Sequence, residues 1–416
     1  MSLAKNIELL RRLPKLHGLS AWDSFGHPML RGVRSPLVET LEFGSNPGDL
    51  RMFSFVPEDL RPRPALVVVL HGCGQTAAGY DLGAGWSMLA KHYGFALLMP
   101  EQQPTNNVHS CFNWFRPEDT RRDHGEACSI RQMIARIVDD RHIDRKRIFV
   151  TGLSAGGAMT SVMLAAYPET FAAGAIIAGL PYGVATNVRE AFNGMMQSPT
   201  RPSDALGDLV RNASRHQGPW PKVSVWHGSA DRTVNPANAD EIIKQWLDVH
   251  GLPSDPMSEG MVDGYPHQIW WNADGETIIE SYTITDMAHG TPLGTAENDE
   301  RYGTTGAFLI EAGISSSYHI AHFFGLTDGV RQPEQDSQTA KPGVIEAPGK
   351  PASSVGHKPA KKIRLPSPAV PPDITGMLWP YPVPARKPKP AAQGPRRRFD
   401  VSSAITRALS AAGLLK

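Results

Sequence analysis

Gly152-Leu153-Ser154-Ala155-Gly156 is the string in this 416-residue chain best suited to chemistry. A serine hydroxyl is a weak nucleophile at neutral pH. It needs a base to take its proton and a carboxylate to orient that base. The small residues around Ser154 fit a sharp strand-to-helix turn that lifts the hydroxyl above a sheet edge, where bulk would collide. The run Ile148-Phe149-Val150 precedes the string and a helical pattern follows it, which is the context such a turn requires. The helix N-terminus adds positive potential where an oxyanion would form. In the order acid then base, His227-Gly228-Ser229-Ala230-Asp231 follows the run Val223-Ser224-Val225-Trp226, and Asp286-Met287-Ala288-His289-Gly290 follows a strand ending near Thr285. Asp231 and His289 are therefore the expected partners of Ser154. Asp286 and Asp263 are rival acids with poorer placement, and His227 reads as a structural hydrogen-bonder beside the acid loop.

An acyl-transferring serine also needs main-chain donors for the oxyanion. Leu70-His71-Gly72-Cys73-Gly74-Gln75 follows the first strongly apolar run, and its His-Gly turn exposes N–H groups. The amides of Cys73 and Ala155 are the expected pair. Cys111-Phe112-Asn113-Trp114-Phe115 falls on the same rim, with Gln103 just upstream. Trp114, Asn113 and Gln103 are assigned to substrate contact, although such aromatics also close surface loops. Cys73 and Cys111 fit either a disulfide across the rim or two free thiols. Cys128, on an apolar-patterned helix, reads as a small buried hydrophobe. His-Glu-x-x-His, Cys-x-x-Cys and Gly-rich phosphate-loop spacings are absent from the sequence, so neither metal nor cofactor is expected.

These residues must be held by elements, and the pattern supplies them. A hairpin is expected from Leu37–Phe43 and Arg51–Val56 around Asn46-Pro47-Gly48-Asp49. The β-branched run Ala65–Leu70 suits a strand buried on both faces. Strands and helices then alternate: helix Trp86–His92, strand Phe95–Met99, helix Gly125–Asp139, strand Arg147–Thr151, a helix to Tyr167, strand Gly174–Ala178. After an interruption at Pro181–Pro221 come strand Lys222–Trp226, helix Ala237–Val249, strand Thr277–Thr285 and helix Ser316–Phe324. This predicts an α/β fold, a mostly parallel sheet covered by helices on both faces, with ligands beyond the strands' carboxyl ends. The interruption, with weak helical patches at Val188–Met196 and Ala205–Asn212, reads as a cap-like insertion (181–221).

The formal net charge of +1 hides an asymmetry. Residues 331–416 hold fifteen Lys+Arg against five Asp+Glu, and fifteen of the 36 prolines. The remainder is net acidic. The expected organisation is an N-terminal extension (1–34), a catalytic domain (35–326), a Pro/Lys-rich linker (327–398) and a short amphipathic helix (399–416). The tail lacks interleaved aromatics, which argues against nucleic acid. Docking on a granule or a protein partner is the expectation for it. No run approaches the length of a membrane span, and the N-terminus lacks the pattern of a secretory leader. A cytoplasmic location is expected on that ground, and its reducing conditions argue against a disulfide.

Together, Leu70-His71-Gly72-Cys73, Pro100-Glu101-Gln102-Gln103, Cys111-Phe112-Asn113-Trp114-Phe115, Gly152-Leu153-Ser154-Ala155-Gly156-Gly157-Ala158-Met159, His227-Gly228-Ser229-Ala230-Asp231 and Met287-Ala288-His289-Gly290-Thr291-Pro292 resemble the polyhydroxybutyrate-depolymerase-like esterases of the α/β-hydrolase fold. The resemblance covers roughly residues 37–326. It implies carboxylic-ester hydrolysis through Ser154, Asp231 and His289. The substrates it implies are poly(3-hydroxybutyrate), its oligomers or related short-chain esters, with feruloyl and acetyl-xylan esters as the alternative. An extracellular location is the alternative it implies. A peptidase of the same fold, and an adaptor working through the basic tail, are the rival readings.

Overall fold

The apolar runs become the centre of a ten-stranded sheet in the computed structural model, which describes residues 35–60 and 62–327. The N-terminal extension, the linker beyond Thr327 and the terminal helix expected from the sequence lie outside the described residues. In chain order the strands are β1 (Val38–Thr40), β2 (Arg51–Phe55), β3 (Leu66–Leu70), β4 (Ala96–Glu101), β5 (Ile148–Leu153), β6 (Ala173–Ile177), β7 (Lys222–Gly228), β8 (Ser258–Val262), β9 (Tyr265–Trp271) and β10 (Thr277–Ile284). They lie side by side as β1-β2-β4-β3-β5-β6-β7-β10-β9-β8. From β4 through β10 every neighbouring pair is parallel. Hairpins close both edges, β1–β2 on one side and β8–β9 on the other, each pair antiparallel.

Alternation along β3 explains the layering. Leu66, Val68 and Leu70 enter one core, and Val67 and Val69 enter the other, as a period of two demands. Burying each such side chain contributes roughly 1.5–3 kcal/mol. After the four-residue helix α3 (Pro117–Thr120), the first face is covered by α4 (Gly125–Arg141), α5 (Ala155–Ala166) and α8 (Ala237–His250), which bring in Ile130, Met159 and Trp246. The second is covered by α1 (Ala77–Ala84), α2 (Trp86–Tyr93) and α9 (Ser316–Phe323), with Trp86, Leu89 and Ile320. There Trp226 of β7 stacks on Tyr282 of β10, with ring centres 3.8 Å apart.

Three features depart from the sequence reading. Helix α1 forms despite two glycines in Ala77–Ala84, started by Thr76, whose side chain accepts the Gly79 N–H. The β8–β9 hairpin turns at Asp263-Gly264, both at positive φ, and this Asp-Gly pair is the signal that would have revealed it. A two-stranded ladder, β11 (Thr291–Leu293) with β12 (Leu309–Glu311), holds the segment just past His289. The 181–221 segment contains two helices, α6 (Val188–Gln197) and α7 (Ser203–Arg211), close to the two weak patches in the sequence.

Candidate active site

Strand β5 ends at Leu153 and α5 begins at Ala155, so Ser154 alone makes the turn, with φ 58° and ψ −116°. The flanking glycines are required by contact. A Cβ on Gly156 would lie 2.2 Å from the Leu70 carbonyl oxygen, and one on Gly152 would lie 2.4 Å from that of Gly156. Close approach of strand, helix and β3 is what leaves Ser154 on the wall of a cavity of about 420 Å³.

Asp231 lies on the loop after β7 and His289 on the loop after β10. The Nδ1 of His289 is 2.6 Å from Asp231 Oδ2. The other carboxylate oxygen accepts the main-chain N–H groups of Thr233 (2.8 Å) and Val234 (2.9 Å). His227 Nε2 lies 3.2 Å from Oδ2 and 3.0 Å from the Val234 carbonyl oxygen. Burial would raise the Asp231 pKa, but hydrogen bonds from His227 and His289 outweigh it and hold the carboxyl well below the usual range. Asp231 therefore remains an anion. An anion at that position selects the His289 tautomer that donates from Nδ1 and leaves Nε2 as the basic nitrogen. The loops fit because Gly228 lacks a side chain, since a Cβ there would lie 2.3 Å from the Met287 carbonyl oxygen. His289 and Ser154 line the same cavity. Neither the Ser154 hydroxyl nor His289 Nε2 is hydrogen-bonded to another described residue, a looseness common before substrate arrives. Of the rival acids, Asp286 is exposed and Asp263 pairs with His319.

Cys73 and Ala155 also line the cavity, and no described residue accepts either main-chain N–H. The turn carrying Cys73 is fixed by His71, whose Nδ1 donates to the Gly72 carbonyl oxygen (2.8 Å) and whose Nε2 accepts the Gln102 N–H (3.1 Å). Burial lowers the His71 pKa to about 4, so the ring stays neutral in that role. The open question about the two rim cysteines resolves as a bond: Cys73 and Cys111 form a disulfide. Cys128 is half-buried rather than fully so.

Trp114 lines the cavity, but Asn113 and Gln103 do not. This corrects the sequence reading. Asn113 turns inward, donating from Nδ2 to Glu126 Oε1 (2.6 Å) and from its main-chain N–H to Oε2 (2.8 Å). Gln103 Nε2 donates to the Asp49 carbonyl oxygen at 2.6 Å. Both side chains anchor the rim loop. Sequence reasoning also missed most of the apolar wall. Phe308, Leu180 and, from α6, Phe192 and Met195 line the same cavity. The amphipathic pattern of α6 was the available signal for the last two. Among the described residues, no cluster of His, Cys, Asp or Glu is arranged to hold a metal ion.

A family model described as esterase PHB depolymerase matches residues 53–256. Poly(3-hydroxyalkanoate) depolymerase C of Paucimonas lemoignei is 44% identical over 307 residues, which are 73% of this chain and 74% of that protein. The chain belongs to the PHB-depolymerase esterase family. An acetylxylan esterase of Coprinopsis cinerea is 32% identical over 63% of this chain and 71% of its own length. The solved structure of an acetyl xylan esterase from Aspergillus awamori superposes with a TM-score of 0.59 at 24% identity, covering 70% of this chain and 99% of that one. That likeness identifies the fold as that of the α/β-hydrolases. As a member of this family the chain is a serine carboxylic-ester hydrolase. No helix among the described residues is long and apolar enough to cross a membrane.

Proposed function

We propose that this esterase cleaves poly(3-hydroxyalkanoate) or its oligomers through an acyl-enzyme on Ser154. The observation that carries the reading is the 2.6 Å contact of His289 Nδ1 with Asp231 Oδ2 beside a cavity that His289 shares with Ser154. His289 Nε2 accepts the Ser154 proton as Oγ attacks the ester carbonyl carbon. The Asp231 anion stabilises the imidazolium that results. The N–H groups of Cys73 and Ala155 receive the oxyanion, each worth about 2.7–4 kcal/mol in such a site. His289 then protonates the departing alkoxide, and the acyl group remains on Ser154. Water, deprotonated by the same nitrogen, releases the acid. A volume of about 420 Å³ lies within the size range of small-ligand sites. The 44% identity to a poly(3-hydroxyalkanoate) depolymerase favours hydroxyalkanoate esters. Acetylated xylan is the second reading, favoured by the 32% identity to an acetylxylan esterase.

The Cys73–Cys111 bond favours an oxidising compartment over the cytoplasm. The basic tail is assigned to docking on a polyester granule.

Ser154→Ala tests the mechanism. The variant should keep its circular-dichroism spectrum and lose p-nitrophenyl butyrate hydrolysis. Substantial turnover in a folded Ser154→Ala protein would reject the assignment.

A further inference from the structure

Among the described residues, the cavity wall carries no aspartate or glutamate and one residue of permanent charge, Arg116. Two polar wall residues upstream of it, Asn106 and Asn107, are already committed to other partners. Asn106 Nδ2 donates to the Gly48 carbonyl oxygen at 2.8 Å. Asn107 Nδ2 donates to Asn113 Oδ1 at 3.1 Å, and its Oδ1 accepts the His109 N–H at 3.0 Å. Arg116 itself is anchored through its main chain. Its N–H donates to the Asn113 carbonyl oxygen (3.0 Å), and its carbonyl accepts the N–H groups of Asp119 (2.9 Å) and Thr120 (3.0 Å). The guanidinium carbon lies 6.0 Å from the ring centre of Phe115, another wall residue. Asp119 interacts with it electrostatically, but no described carboxylate reaches ion-pair distance. The backbone is thus fixed while the cation stays unpaired beside apolar surface, where an opposite charge is screened less than in open water.

We propose that Arg116 is a specificity-determining residue that makes the cavity selective for esters whose alcohol portion ends in a carboxylate. This inference rests on the hydroxyalkanoate reading above. Short hydroxyalkanoate oligomers have that chemistry. Their terminal unit carries a free carboxylate one repeat beyond an ester carbonyl, and every internal cleavage creates another such end. Acetyl groups on a neutral sugar leave no anion at that position. A guanidinium matches a carboxylate with two parallel N–H donors, which a neutral amide cannot reciprocate.

The test uses the full chain and two dimers, 3-hydroxybutyryl-3-hydroxybutyrate and its terminal carboxamide, which differ in charge and hardly in shape. The assays run at about pH 8, above the ordinary histidine range and below that of arginine. The free acid should exceed the amide in kcat/KM by about tenfold or more. That ratio should shrink between about 0.05 and about 0.5 M NaCl. Arg116→Gln should bring it close to unity, and Arg116→Lys should restore part of it. A wild-type ratio near unity overturns the proposal even if the variants fail to fold. So does an unchanged ratio in Arg116→Gln. Failure of the wild type on both dimers, with p-nitrophenyl butyrate still hydrolysed, would instead reject the hydroxyalkanoate reading on which the proposal rests.

Discussion

A φ of 58° at a residue with a side chain costs on the order of 1–3 kcal/mol, and Ser154 holds it because the close packing of β3, β5 and α5 at Gly152 and Gly156 fixes the turn. The glycines at 152 and 156 are readable in the sequence for the same reason: only they let β3, β5 and α5 meet. Asp231 and His289 were legible because each follows a strand's carboxyl end, a position that sequence order specifies. Asn113 and Gln103 were misread because the direction in which a loop side chain points depends on partners that the local pattern does not name. The partner of Asn113 is Glu126, across the start of a helix. Asp231 yields the prediction at this scale. Asp231→Asn keeps the shape but presents an amide to His289, which favours the wrong tautomer. Turnover should fall by about 10³–10⁴-fold in a folded protein, read from steady-state kinetics. A loss of less than about tenfold would remove Asp231 from the mechanism. The wild type should keep this carboxylate ionised down to strongly acidic pH, because its pKa is depressed.

Elements succeed or fail by how much of their context is local. Helix α4 was legible from Ile130, Met133, Ile134 and Ile137 on one face, all buried. The β8–β9 hairpin was not, because its outer strand is mostly exposed and shows no apolar alternation. The rim loop from Gln102 to Arg116 has no periodicity at all. It is organised by Glu126, in the first turn of α4, which accepts from Gln102 Nε2 (2.5 Å) and twice from Asn113, and by the disulfide to Cys73. Burial raises the Glu126 pKa to about 8, with Asp119 adding to it and the Asn113 and Gln102 hydrogen bonds opposing it. The folded value therefore exceeds the unfolded one of about 4.3. The native state holds this proton more tightly, so its contribution to stability is complete below about pH 4 and is lost as pH rises through about 8. Part of the decline in melting temperature between about pH 5 and about pH 8 should belong to this group. Glu126→Gln, which cannot titrate, should show a shallower decline by scanning calorimetry. Parallel curves for the two proteins would exclude Glu126 as the source.

At the scale of the whole molecule, the two-sided apolar runs made a helix-covered parallel sheet readable, but not the order of its strands. Placing β3 between β4 and β5 depends on pairings between segments far apart in the chain. The charge distribution was readable, because it needs only counting. Every residue assigned to the chemistry lies between 35 and 327, in the net acidic part of the chain, whereas residues 331–416 carry fifteen basic against five acidic side chains. Catalysis on a dissolved ester requires the first part. Capture by a solid polyester surface bearing carboxylate chain ends would draw on the second, through attraction that salt weakens. Deleting residues 331–416 should therefore leave p-nitrophenyl butyrate turnover unchanged while removing co-sedimentation with polyhydroxybutyrate granules at low salt. In the full chain, co-sedimentation should decline as NaCl is added. Equal sedimentation of the truncated and full-length proteins would mean that the folded body meets the polymer by itself, and the tail would lose its assigned role.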